Sequence, residues 1–193
     1  MYNKPYNAFI VIGPESSGTR VLTRMFVEAG CFGQDTNGQK LDLVLGGQDT
    51  FERVVGNSEK LVFRRSIPHS KTWPDINGIH LFFESKGFTP LWLITCRDWY
   101  SNIRSKIKRG HANKWEKAIT AYKKEWEYLV ANKSYFRGQY YYVNMSMLFE
   151  DPNAVLSAMA QITKVIIPVK GCELIFNPDK EYTEDKYNLV RKK

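Results

Sequence analysis

The chain has 193 residues, enough for a single domain built round a sheet with a sizeable core. Its 43% hydrophobic and 14% aromatic content excludes intrinsic disorder, and no apolar run approaches transmembrane length. A net charge of +8 points to anionic ligands and does not choose among nucleotide, sulfated glycan, nucleic acid and membrane surface. The three cysteines, Cys31, Cys96 and Cys172, are odd in number and far apart. That pattern suits reduced thiols in a cytoplasmic protein and offers neither a disulfide framework nor a zinc site. The polar start MYNKPYN lacks the features of a signal peptide.

In chain order, short apolar runs alternate with helical periodicities, which predicts an α/β domain. Phe9–Ile12 reads as the first strand and Thr19–Ala29 as the first helix, with Val21, Leu22, Met25, Phe26 and Ala29 on one face. Cys31–Gly47 is rich in Gly, Asp, Gln and Asn and reads as a long loop. Lys60–Arg64 is a short strand, and Asn77–Ser85 a helix burying Ile79, Phe82 and Phe83. Leu91–Cys96 is the clearest buried strand. Helices follow at Trp99–Arg109 and Asn113–Val130, the second with Trp115, Ile119, Tyr122, Trp126 and Leu129 as its expected core stripe. Gln139–Val143 is another strand, and Asp151–Thr163 a last long helix with Pro152 at its first position.

Chemistry concentrates between the first strand and helix, in Gly13-Pro-Glu-Ser-Ser-Gly-Thr-Arg20. A strand, glycine turn and helix aim several backbone N–H groups at one anion. The Gly13-to-Gly18 spacing is that of a Walker A loop, but Thr19 and Arg20 stand where its lysine and hydroxyl residue belong. ATP hydrolysis and ordinary kinase chemistry need both. A second constellation follows Leu91–Cys96. Arg97 stands at the carboxyl end of that strand, where open α/β sheets bind ligands. Ser105 lies eight residues on in the next helix. An arginine and a hydroxyl there suit a second phosphate. The bland alternatives are a turn without a ligand and a solvated basic helix, since Arg104, Lys106, Lys108 and Arg109 also crowd that segment.

Together these residues resemble the sulfotransferase family. Ser-Ser-Gly-Thr-Arg is similar to its phosphosulfate loop, P-[KR]-S-G-T-[TR]. Arg97 and Ser105 match its arginine and serine for the cofactor's 3′-phosphate, and the segment Tyr141 to Pro152 resembles its strand, Tyr-Glu-Asp-Leu-like turn and Asp-Pro helix start. The resemblance implies one domain over 1–193, with a three-layer α/β/α P-loop-type fold and a central, mainly parallel sheet. It implies 3′-phosphoadenosine 5′-phosphosulfate (PAPS) as cofactor, held by Ser16, Ser17, Gly18, Thr19, Arg20, Arg97 and Ser105, and no metal. The reaction implied is sulfuryl transfer to a hydroxyl, such as one on a carbohydrate. His69, in Arg64-Arg-Ser-Ile-Pro-His69, resembles the segment carrying the family's general base, while His80 and His111 read as incidental. Where the family has a basic residue before Ser-Gly-Thr, this chain has Ser16 preceded by Glu15. The replacement cation would come from Arg20, Arg24, Arg64 or Arg65. Two other readings stay open: an ATP-binding, kinase-like P-loop protein, and a basic non-catalytic binder of nucleic acid or glycan.

Overall fold

The computed structural model describes residues 5–33, 60–68 and 73–167. Five strands form one parallel sheet: β1 (Ala8–Pro14), β2 (Phe32–Gly33), β3 (Leu61–Ile67), β4 (Pro90–Cys96) and β5 (Tyr140–Asn144), in the spatial order β2-β3-β1-β4-β5. β1 is central and buried along its whole length, which is why it reads as an unbroken apolar run. Ala8 pairs with Leu61 on one side and Pro90 on the other, so the three strands end close together at their carboxyl ends.

Alternate side chains of β1 feed two cores. Phe9 and Val11 pack with Leu22, Met25 and Phe26 of α1 (Thr19–Glu28), Met145 and Leu148 of α5 (Met145–Glu150), and Leu156 and Met159 of α6 (Pro152–Thr163). Ala8, Ile10 and Ile12 pack with Ile76, Ile79 and Phe83 of α2 (Ile76–Ser85) and Leu129 of α4 (Trp115–Ala131). The helix α3 (Trp99–Lys108) follows β4 and packs on α4. A sheet with a buried helical layer on each face is the α/β/α architecture expected from the alternating pattern.

Local sequence accounts for several element ends. Asp75 caps α2 by accepting from the Gly78 amide at 2.9 Å, and Asp98 caps α3 by accepting from Ser101 at 2.9 Å. Asp151 caps α6 through Ala154 at 3.1 Å, with Pro152 in the first turn as expected. In the second core, Trp92 Nε1 donates to His80 Nδ1 at 3.1 Å. Burial holds His80 below the usual imidazole range, with Glu84 opposing the shift. His80 is therefore a structural acceptor.

Three expectations need correction. Met145–Glu150, read as a turn, is a short helix whose N-cap Asn144 accepts from the Ser146 and Met147 amides. The buried line of α4 is Ala118, Glu125 and Leu129, while Trp115, Ile119, Tyr122 and Trp126 lie half-buried or exposed beside it. Their rings pack at the boundary instead, Trp115 against Tyr100 of α3 with centroids 5.5 Å apart. Lys106, grouped with a solvated basic helix, is only 1% exposed. Of the expected loop Cys31–Gly47, the described part contains β2, and the remainder lies outside the described residues.

Candidate functional site

Strand order determines where a ligand can bind. After β1 the chain supplies edge strand β2 and then β3, beside β1, on one side, and then crosses to β4 and β5 on the other. The reversal falls between β1 and β4, and in such sheets the crevice beyond the strand ends is the ligand site. The loop after β1 and Arg97 after β4 open onto that crevice.

The loop is built by close approach. A Cβ on Gly13 would lie 2.7 Å from both Ser17 Oγ and Thr95 O, so only glycine lets β1 and β4 converge there. Ser16 has φ 70° and Gly18 φ 101°, the left-handed conformations that curl the chain back over the strand end. Ser17 N donates to Pro14 O at 3.0 Å, and Glu15 N donates to Ile67 O at 3.1 Å, tying the loop to β3. The amides of Ser16 and Gly18 donate to no acceptor among the described residues. Those of Thr19 and Arg20 open α1, where no intrahelical acceptor exists. The start of α1 has neither a side-chain cap nor an acidic residue. A set of N–H groups at an uncapped helix start can take a phosphate or sulfate.

The loop hydroxyls of Ser17 and Thr19 bond to neighbouring strands. Ser17 is 1% exposed, and its Oγ lies 2.6 Å from Thr95 Oγ1, which in turn reaches Ile12 O. With its amide on Pro14, both donors of Ser17 serve the loop itself. Thr19 Oγ1 lies 3.3 Å from Ser66 Oγ of β3. Ser16 Oγ is buried with no hydrogen-bond partner among the described residues.

Arg97 is half-buried immediately beyond β4. Ser105, on α3, is 1% exposed, and its Oγ has no hydrogen-bond partner among the described residues. A buried unmet hydroxyl is costly, so a group that accepts its proton would be favoured there. One turn earlier Asn102 donates from Nδ2 to Glu15 O at 3.2 Å, joining α3 to the loop. Glu15 also faces His111, with Oε1 3.3 Å from Nδ1. Lys106 Nζ donates to Glu125 Oε1 at 2.7 Å, both side chains 1% exposed. Burial pushes the Glu125 carboxyl up to about 7; Lys106 opposes the shift and Glu15 adds to it.

Of the proposed replacement cations, Arg20 and Arg24 are exposed on α1. Arg64 and Arg65 sit opposite Val11 and Ile12 at the carboxyl end of β3, and Arg65 is 3% exposed. Its charge lies near the Tyr128 hydroxyl of α4, which donates to Pro74 O. Trp73 is 43% exposed and packs its ring on Tyr128 at 4.8 Å between centroids. His69 lies outside the described residues. Thr95, Ser66, Asn102 and Glu125 were not singled out in the sequence, because each gains its role from a contact distant along the chain.

No protein-family model and no curated protein matches the chain. Among solved structures, it is similar to the sulfotransferase domain of the Synechococcus PCC 7002 olefin synthase. The match has a TM-score of 0.52 at 15% identity, covering 92% of this chain and 80% of that one. The chain has the fold of that domain. TT1252 from Thermus thermophilus also aligns, with a TM-score of 0.45 and 12% identity over 83% of this chain and 100% of that one. Among the described residues, no helix is long and apolar enough to cross a membrane.

Proposed function

We propose that this protein binds PAPS and transfers its sulfuryl group to an acceptor hydroxyl, such as one on a carbohydrate. The observation that carries this reading is the pairing, at the strand-order reversal, of an uncapped glycine loop with Ser105, a buried hydroxyl lacking a partner among the described residues. The residues fit the cofactor in two respects. The loop amides of Ser16, Gly18, Thr19 and Arg20 suit the 5′-phosphosulfate, and Arg97 with Ser105 suits a separate 3′-phosphate. The fold shared with a sulfotransferase domain adds to that support.

PAPS supplies an activated sulfuryl group whose leaving group is a phosphate. The chain's part is to align and to neutralise. Loop amides hold the anion and stabilise charge that grows on its oxygens. Ser17 and Thr19, bound to Thr95 and Ser66, keep the loop shaped before a ligand arrives. Arg97 discriminates for the 3′-phosphate. His69 takes the proton from the acceptor hydroxyl, a role suited to an imidazole near neutral pH. Calorimetric titration with adenosine 3′,5′-bisphosphate, against ATP with magnesium, tests the reading. Preferential binding of the bisphosphate is the expected result, whereas preference for ATP, or binding of neither, would overturn it.

A further inference from the structure

Glu15 puts a carboxylate in the loop expected to hold a polyanion, and the structure gives that carboxylate a specific partner. Gly110, at φ 72°, ends α3 in a left-handed turn in which His111 N donates back to Lys106 O at 2.9 Å. The turn sets His111 against the loop, with Nδ1 3.3 Å from Glu15 Oε1. The Glu15 backbone is fixed on both sides, its amide donating to Ile67 O and its carbonyl accepting from Asn102 Nδ2. We propose that His111 is a positioning residue for the loop: as the imidazolium it offsets Glu15 and holds it off the anion, so that cofactor binding is linked to proton binding at His111. This rests on the cofactor reading above and adds to it a means of regulating the same site.

The surrounding charges favour this arrangement. The Glu15 charge adds to the upward shift of the Glu125 carboxyl on α4, and Lys106 of α3 is committed to Glu125. Asn102 brings no charge, and the Tyr122 hydroxyl of α4, near Glu125 and Asp98, is held above its usual range mainly by burial. Among the described residues, His111 lies against the Glu15 carboxylate at 3.3 Å. The pair is an ion pair only while the His111 imidazole carries its second proton, so the offset depends on proton binding there.

The test is calorimetric titration of the full chain with adenosine 3′,5′-bisphosphate at pH 5.5 and 8.0, for wild type, Glu15→Gln and His111→Gln. The ligand's own titration is common to all three and cancels in the comparison. From acid to alkaline pH, wild type should weaken relative to Glu15→Gln by about tenfold, the scale of one uncompensated charge at a partly exposed site. His111→Gln should bind weakly at both pH values, and Glu15→Gln tightly at both. Parallel pH profiles, or His111→Gln matching wild type at pH 5.5, would overturn the linkage and leave the cofactor reading standing. If no variant bound at either pH, the cofactor reading would fall, and this inference with it. Circular dichroism melts of the same samples separate either result from unfolding.

Discussion

Replacing Lys106 with methionine isolates the energetics of the ion pair between α3 and α4. Both members are 1% exposed and meet at 2.7 Å, so Lys106→Met strands a carboxylate in the interior. Breaking a buried pair from one side costs about 3–5 kcal/mol. At about 2–4 °C per kcal/mol for a domain of this size, the melting temperature should fall by roughly 6–20 °C. The loss should depend on pH. Glu125 ordinarily titrates at 4.5 and is pushed up to about 7 by burial. Between those values the folded chain keeps a proton that the unfolded chain has released. Stability from this group is therefore full below pH 4.5 and lost as pH rises through 7. Without Lys106 the buried carboxyl is tolerable while protonated, so the variant should lose less at pH 5.5 than at pH 8.5. The assay is urea denaturation at both pH values, with Lys106→Met/Glu125→Leu as the control that removes both charges. The double variant should recover to within about 1 kcal/mol of wild type. A loss under about 1 kcal/mol at pH 8.5, equal losses at both pH values, or no recovery in the double variant would refute the reasoning.

Further expectations concern the loop and one helix cap. Gly18→Ala places a side chain at φ 101°, with its Cβ 2.9 Å from Met145 Cε; it should destabilise by roughly 1–3 kcal/mol in urea and weaken bisphosphate binding in calorimetry. Gly30→Ala, at φ 92° with open space around it, should cost stability without affecting binding. Thr95→Val keeps the shape and removes the partner of the buried Ser17 hydroxyl; a loss of about 1–3 kcal/mol is expected, with Thr95→Ser much milder. Asp151→Ala removes the bond to the Ala154 amide and should lower stability by about 1 kcal/mol by thermal melt.

Local patterns carried most of the architecture. β1 and β4 are legible because strands buried on both faces must be apolar throughout, and α6 because Asp151-Pro152 is itself a helix start. β2, two residues long, has no periodicity to read, and the six residues of α5 are too few to separate from a turn. On α4, large aromatics suggested a stripe centred on Trp115, Tyr122 and Trp126, yet the buried line runs through Ala118 and Glu125. There Glu125 meets Lys106 of α3 at 2.7 Å, a contact no window of α4 alone contains. The Gly13–Gly18 turn was readable for the same reason α6 was, since glycine spacing encodes backbone approach directly. Its partners Thr95, Ser66, Asn102 and His111 come from other elements, and no short window of sequence contains both halves of such contacts. Thus Lys106 looked solvated among its cationic neighbours, and His111 looked idle until α3 placed it against Glu15.

Under the proposed function the crevice between β1 and β4 would read two separate phosphates, and Arg97→Ala tests this most directly. Calorimetry would compare adenosine 3′,5′-bisphosphate with adenosine 5′-monophosphate on wild type and variant. The variant should lose affinity for the bisphosphate by tenfold or more, the scale of a charge-assisted bond, while affinity for the monophosphate barely changes. Equal losses for both ligands, or none for either, would contradict it.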